Sequence, residues 1–187
     1  MSDENLIQEE TPSPLKTTLI VGGILGVFML LYNYIFIWSG DMKDMEGNKI
    51  YSYIQYFIIL GFGLAAIKIH RDKNLGGEIS YGKAFVTSLL TILWFSIIVA
   101  AFTYFYFKFN PEKIDEIMRE GMKSMEKKVD KGEMTETDFD NAEQFMQMIN
   151  GAMPMAFFSF MGCILPGIIT SLIAAAFHKL IKSKKHE

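Results

Sequence analysis

The chain has 187 residues, half of them hydrophobic and 14% aromatic, with a mean hydropathy of +0.21 and a formal net charge of -3. Composition this apolar is high for a soluble domain of that length, and the acidic balance, without any basic stripe, argues against nucleic acid as a partner. The single cysteine, Cys163, cannot form an intramolecular disulfide and says nothing about redox compartment.

In chain order, the first fifteen residues are acidic and carry Pro12 and Pro14. They read as a disordered tail, opposite in charge to a basic signal-peptide leader, so the first apolar stretch is expected to act as an uncleaved insertion signal. Residues 16–187 read as a single membrane domain. Four stretches free of Asp, Glu, Lys and Arg follow, bracketed by Lys16 and Asp41, Lys49 and Lys68, Lys83 and Lys108, and Glu143 and Lys179. Each reaches the roughly 17 to 25 residues a helix needs to cross the hydrocarbon core. Runs of this length suit helices, since membrane β-strands are about 9–11 residues long with alternating polarity. Crossings are expected at about 17–38, 50–69, 82–107 and 155–181, giving an all-α, polytopic four-transmembrane-helix bundle.

The first connection, about 39–49, is a Gly- and Asp-rich turn. In the second, Arg71 and Lys73 follow the second helix, where positive charge suits the C-terminal dipole and lipid phosphates. Gly76 and Gly77 permit the chain reversal, and Ser80 is placed to cap the third helix. The third connection, about 111–150, differs in kind. Pro111 fits a helix start, and Ile114, Ile117, Met118, Met122, Met125 and Val129 recur at helical spacing. Lys131, Gly132 and Glu133 interrupt that pattern, Thr135 or Thr137 can cap a second helix, and Phe139, Ala142, Phe145, Met146 and Ile149 form its apolar stripe. The expectation is an amphipathic helical hairpin lying on the membrane or capping the bundle.

Within the fourth crossing, Ser159, Cys163, Gly167, Ser171 and Ala175 fall at four-residue spacing, a ridge suited to close helix approach. Gly22 and Gly26 offer the same on the first helix, and Gly61 and Ala65 on the second. Such a ridge serves packing within one chain or a homo-oligomer. Pro166 predicts a kink. Asn33 is the best candidate for an interhelical hydrogen bond. Tyr and Trp residues near the helix ends, Trp38, Tyr53 and Tyr106 among them, read as an interfacial belt.

Several chemistries find no support. Spans lacking an ionisable residue at mid-depth argue against a proton-coupled pathway. His70, His178 and His186 lack paired ligand spacing, so no zinc site is expected and they read as solvated side chains. The methionine stripe Met118, Met122 and Met125 is ordinary adaptable packing before it is a copper site. No nucleophile elbow, phosphate loop or HExxH occurs, so neither a catalytic residue, a metal nor a cofactor is expected. Lys and Arg counts on the two sides balance. The C-terminal cluster Lys179, Lys182, Lys184 and Lys185 lies closest to the membrane and favours cytoplasmic termini.

The segment from Ile67 to Leu90, IKIHRDKNLGGEISYGKAFVTSLL, resembles the signature of a bacterial membrane family, the domain-of-unknown-function family numbered 4199. That pattern has a cationic end to the second helix (here Arg71, Asp72, Lys73), a double glycine (Gly76, Gly77) and an entry to the third helix matched by Ile79, Ser80, Tyr81, Gly82, Lys83, Ala84 and Phe85. Tyr81 stands where Phe is more usual. The resemblance implies a multi-pass protein of the bacterial inner membrane and carries no activity with it. Function is then expected to be non-enzymatic: a structural, assembly or partner- and lipid-binding role, with Arg71, Lys73, Gly76, Gly77, Ser80 and Lys83 as the candidate loop. Expected partners are the bilayer, anionic lipid, and a second copy or another membrane protein. The alternative is a small oligomeric transporter or channel subunit.

Overall fold

In the computed structural model of the protein, residues 13–38 and 49–178 are described, with side chains for 13–33 and 53–178. The acidic tail to residue 12, the first connection at 39–48 and the C-terminal lysines lie outside them. Six helices make up the described chain: α1 (Leu15–Trp38), α2 (Lys49–Asn74), α3 (Tyr81–Phe109), α4 (Glu112–Asp130), α5 (Glu136–Met148) and α6 (Ala152–Phe177). Four of them, α1, α2, α3 and α6, are long and apolar enough to cross a membrane. The described residues fall into two compact units, the first within 1–95 and 165–187, the second 96–164.

The first unit is organised inside out relative to a water-soluble bundle. On α1 the exposed face is Leu19, Ile20, Ile24, Val27, Phe28 and Leu31, while Thr18, Val21, Gly22, Leu25, Gly26 and Met29 are buried. On α3 the buried set is Ala84, Thr87, Ser88, Thr91, Ile92 and Phe95, at i, i+3, i+4 and i+7. Gly167, Thr170, Ser171, Ala174 and Ala175 are buried on α6. Small and hydroxyl-bearing residues therefore take much of the interior beside Leu25, Met29, Ile92 and Phe95, while many of the large apolar residues face out. That is how helices associate in lipid, where apolar surface gains nothing from being hidden and close backbone approach is the main attraction.

Buried hydroxyls need partners, and several find them along their own helix. Thr87 donates to the Lys83 carbonyl at 2.7 Å, Thr91 to Thr87 at 2.9 Å, Thr170 to Gly167 at 3.0 Å and Thr18 to Leu15 at 3.0 Å. Asn33 makes the interhelical bond expected of it: Gln55 Nε2 on α2 donates to Asn33 Oδ1 at 3.3 Å. The apolar centre of the unit is Ile67, Ala84, Ala174 and Ala175, with Leu60, Leu64, Ile79 and Phe85 against it.

In the second unit α4 and α5 form the expected hairpin. Thr135, of the two candidate threonines, is the N-cap of α5 and accepts from the Asp138 amide at 3.1 Å. Gly132 takes φ 70° in the reversal, a conformation open to glycine. The helices approach at Gly121, where an added Cβ would sit 2.7 Å from Met146 Cε. Met118, Met122, Met125, Phe139, Ala142, Met146 and Ile149 are half-buried, and Ile114 is the one fully buried residue of the hairpin. Phe145 meets Phe158 of α6 edge-on at 5.6 Å between centroids, and Thr103 of α3 and Ser159 of α6 share a hydrogen bond of 3.1 Å.

Candidate functional site

The α2–α3 turn is built by its glycines and by Arg71. The Gly77 amide donates to the Arg71 carbonyl at 3.0 Å, with Gly76 at φ 64° and Gly77 at φ 99°. The same Arg71 carbonyl also accepts from the Leu75 amide at 3.2 Å, so the chain folds back onto the end of α2 over two left-handed glycines. Three residues later Ser80 caps α3: the Lys83 amide donates to Ser80 Oγ at 3.4 Å and the Ala84 amide to the Ser80 carbonyl at 2.9 Å.

Arg71 itself departs from expectation. Its position in the sequence groups it with residues facing lipid phosphate or a partner, yet it is only 4% exposed. Its guanidinium bonds Asp72 at 2.8 Å, and its Nη1 reaches the backbone carbonyl of His178 at 3.5 Å, tying the end of α2 to the end of α6. A guanidinium is suited to this because it presents several donors in a fixed fork, so one side chain can serve a carboxylate and a helix-end carbonyl together. Among the described residues of the unit, the exposed cations are Lys16, Lys68, Lys73 and Lys83.

The histidines also differ from the expected solvated side chains. His70 is 2% exposed and His178 6%. Both lie one turn or less from a helix end and use polar neighbours to tolerate burial. His178 Nδ1 contacts the Ala175 carbonyl, and His70 Nδ1 lies 3.0 Å from Asn74 Nδ2. Asn74 Nδ2 also donates to Thr17 on α1 at 3.3 Å. With the amide nitrogen as donor, His70 Nδ1 accepts and the imidazole proton sits on Nε2. His186 lies outside the described residues.

Beside these groups the start of α1, the end of α2 and the start of α3 enclose a cleft of about 230 Å³, lined by Pro14, His70, Leu75, Lys83, Val86 and Thr87. Among the described residues no group of three His, Cys, Asp or Glu side chains comes together in a way that could hold a metal ion.

The packing residues divide. Gly22 is the most closely approached: a Cβ there would stand 2.5 Å from the Thr91 carbonyl oxygen and 2.8 Å from Trp94 Cβ. Gly26 is buried. On α6 a Cβ at Gly167 would overlap Ile92 Cγ2, Ser171 is fully buried, Ser159 bonds Thr103, and Cys163 is half-buried. The helix runs through Pro166 without interruption. On α2, however, Gly61 has nothing within 4 Å of its Cβ position and Ala65 is exposed; the close approach is at Gly63, against Ser88 and Ala174. Two residues along a helix turn the side chain by about 200°, so Gly61 and Gly63 face nearly opposite ways. Gly63 was legible from the polar end of the same helix: it lies seven and eight residues before His70 and Arg71, on the face that carries both inward.

No curated protein and no solved structure matches the chain. The family described as "Protein of unknown function (DUF4199)" has a model that matches residues 20–179, a span that takes in α1 from Ile20, the whole of α2 to α6 and the Arg71–Lys83 turn, and the chain belongs to it.

Proposed function

We infer that this is a multi-pass protein of the bacterial inner membrane, with both termini cytoplasmic, acting as a non-enzymatic binding or assembly module. Its α2–α3 turn engages anionic lipid or a membrane protein partner. One observation carries the reading. The turn is tied down by the Arg71 carbonyl and guanidinium, by two left-handed glycines and by the Ser80 cap, yet it holds Lys73 and Lys83 exposed on either side. A rigid reversal that presents cations, and whose arginine works as the fastener, is the arrangement a docking surface needs. Each lysine close to an anionic leaflet contributes about 1 kcal/mol.

Lys73→Ala with Lys83→Ala is the direct test. Full-length protein extracted in native lipid discs is compared with this variant by mass spectrometry of what accompanies it. Anionic phospholipid or a protein partner should be held by the wild type and reduced roughly 30-fold in the double variant, the equivalent of about 2 kcal/mol. Equal retention by both would refute the assignment of the turn.

A second reading, a small oligomeric transporter or channel subunit, draws on the buried hydroxyls of the first unit. Ser88 Oγ and Ser171 Oγ are buried without a hydrogen-bond partner, where a polar solute or water could serve them. Solute flux into liposomes that is lost in Ser88→Ala with Ser171→Ala would favour it over the docking module.

A further inference from the structure

We propose that the cleft at the ends of α1, α2 and α3 is a phosphate-binding site, taking the phosphate of an anionic lipid headgroup or a free phosphate ion. The proposal rests on the reading of the α2–α3 turn as an anion-engaging surface and gives that surface a specific seat.

The cleft's polar groups are of one kind. Lys83 brings an ammonium, a donor with no acceptor capacity. His70 has its Nδ1 engaged by Asn74, which leaves Nε2–H as the donor of the ring. Thr87 spends its hydroxyl proton on the Lys83 carbonyl and so cannot donate into the cleft. Among the described residues, none of those lining the cleft is acidic. A fixed positive charge beside a neutral N–H donor selects an anion that can accept from both, and a phosphate does so. The remaining wall, Pro14, Leu75 and Val86, is apolar and suits the carbon adjoining a phosphate ester. At about 230 Å³ the space is below the ~300 Å³ at which pockets begin to hold drug-sized ligands, so it takes a headgroup and not a whole lipid.

The test uses the full chain in discs of zwitterionic phosphatidylcholine, titrated separately with inorganic phosphate and with short-chain phosphatidylglycerol. Binding is read as thermal stabilisation and as bound ligand by native mass spectrometry. Lys83→Gln should weaken binding roughly tenfold, the loss of one charge-assisted hydrogen bond, and Lys83→Arg should restore most of it. Gly82 also lines the cleft, with open space at its Cβ position. Gly82→Leu should therefore abolish binding by filling the space, and Gly82→Ala should spare it. Lys68→Ala, an exposed cation outside both the cleft and the turn, should bind as the wild type does. Response to both ligands means that a free phosphate suffices, and response to phosphatidylglycerol alone assigns the site to a lipid headgroup; either supports the proposal. If Lys73→Ala weakens binding as much as Lys83→Gln while Gly82→Leu has no effect, the cleft is not the site, although the cationic turn still attracts anions. Absence of binding to either ligand by the wild type overturns the proposal whatever protein partner the turn retains.

Discussion

The two units of this chain bury different things. In the first, Thr18, Thr87, Ser88, Thr91, Thr170 and Ser171 line the interior with Gly22, Gly63 and Gly167, so helix backbones come within reach of one another. In the second, Ile114, Ala156 and Ser96 are the buried residues, while Phe102, Phe105, Tyr106, Phe109, Phe145 and Phe157 are exposed. One interior is packed through what side chains lack; the other leaves its largest side chains outside. The difference teaches that apolar content is a poor guide to the core of such a protein. In the first unit the positions of closest helix approach are small or polar, and many residues that would join a soluble core, Ile24, Val27, Phe28 and Phe57 among them, face outward.

The sharpest way to break that contrast is at Arg71. Replacing it by Leu leaves Asp72 unpaired and removes the donor to the His178 carbonyl, and should cost about 3 kcal/mol in the first unit. Chemical unfolding in detergent micelles measures the loss, and a cost no larger than that of Lys73→Leu would show the clasp to be idle. Next come the glycines. Gly22→Ala drives a methyl into the Thr91 carbonyl, a backbone atom that cannot step aside, and Gly63→Ala meets Ser88. Each should cost about 1–3 kcal/mol as overpacking. Gly61→Ala, with open space around it, should be neutral or stabilising by up to about 1 kcal/mol. If Gly61→Ala proved the more damaging of the two α2 changes, the face assigned to α2 would be wrong.

Smaller effects sharpen the second unit. Thr103→Val and Ser159→Ala, made singly and together, should show a coupling of about 0.6 kcal/mol, the average for interhelical hydrogen bonds within membranes. The least effect belongs to Lys113 and Glu116 in the first turns of α4, paired at 2.6 Å on the surface. Their hydrogen bond lowers the Glu116 carboxyl and raises the Lys113 amine. The Glu116 contribution is present above the ordinary carboxylate range and is lost as pH falls through its lowered value. That of Lys113 is present below the ordinary amine range and is lost as pH rises through its raised one. Amide exchange in α4 should therefore quicken slightly at both extremes, and Glu116→Gln should remove the acid limb.

Much of this architecture was legible in the sequence, because charge-free runs and turn chemistry are strong local signals. The four long helices, the hairpin, the glycine pair, the Ser80 cap and the Asn33 bond follow from residue types at their positions. Helix faces were harder. An almost wholly apolar helix has no periodic contrast to say which side is in, so Gly61 and Gly63 looked alike. Only polar groups such as Thr87, Thr91 and His70 mark the inner face. Arg71, His70 and His178 are buried where their sequence context suggests exposure, for a related reason. At a helix end an arginine serves lipid phosphate or a neighbouring carbonyl equally well, and the choice depends on where the end of α6 lies, more than a hundred residues away in the chain.

The inside-out organisation of the first unit is tested most directly by labelling the protein in liposomes with a membrane-soluble photoactivated diazirine and, in parallel, a water-soluble amine-reactive ester. Diazirine adducts should concentrate on Leu19, Ile24, Val27 and Phe57 and spare Leu25 and Ile67, while the ester modifies Lys73 and Lys83. Diazirine adducts on Leu25 and Ile67 matching those on Leu19 and Ile24, or helices left unlabelled in lipid, would contradict it.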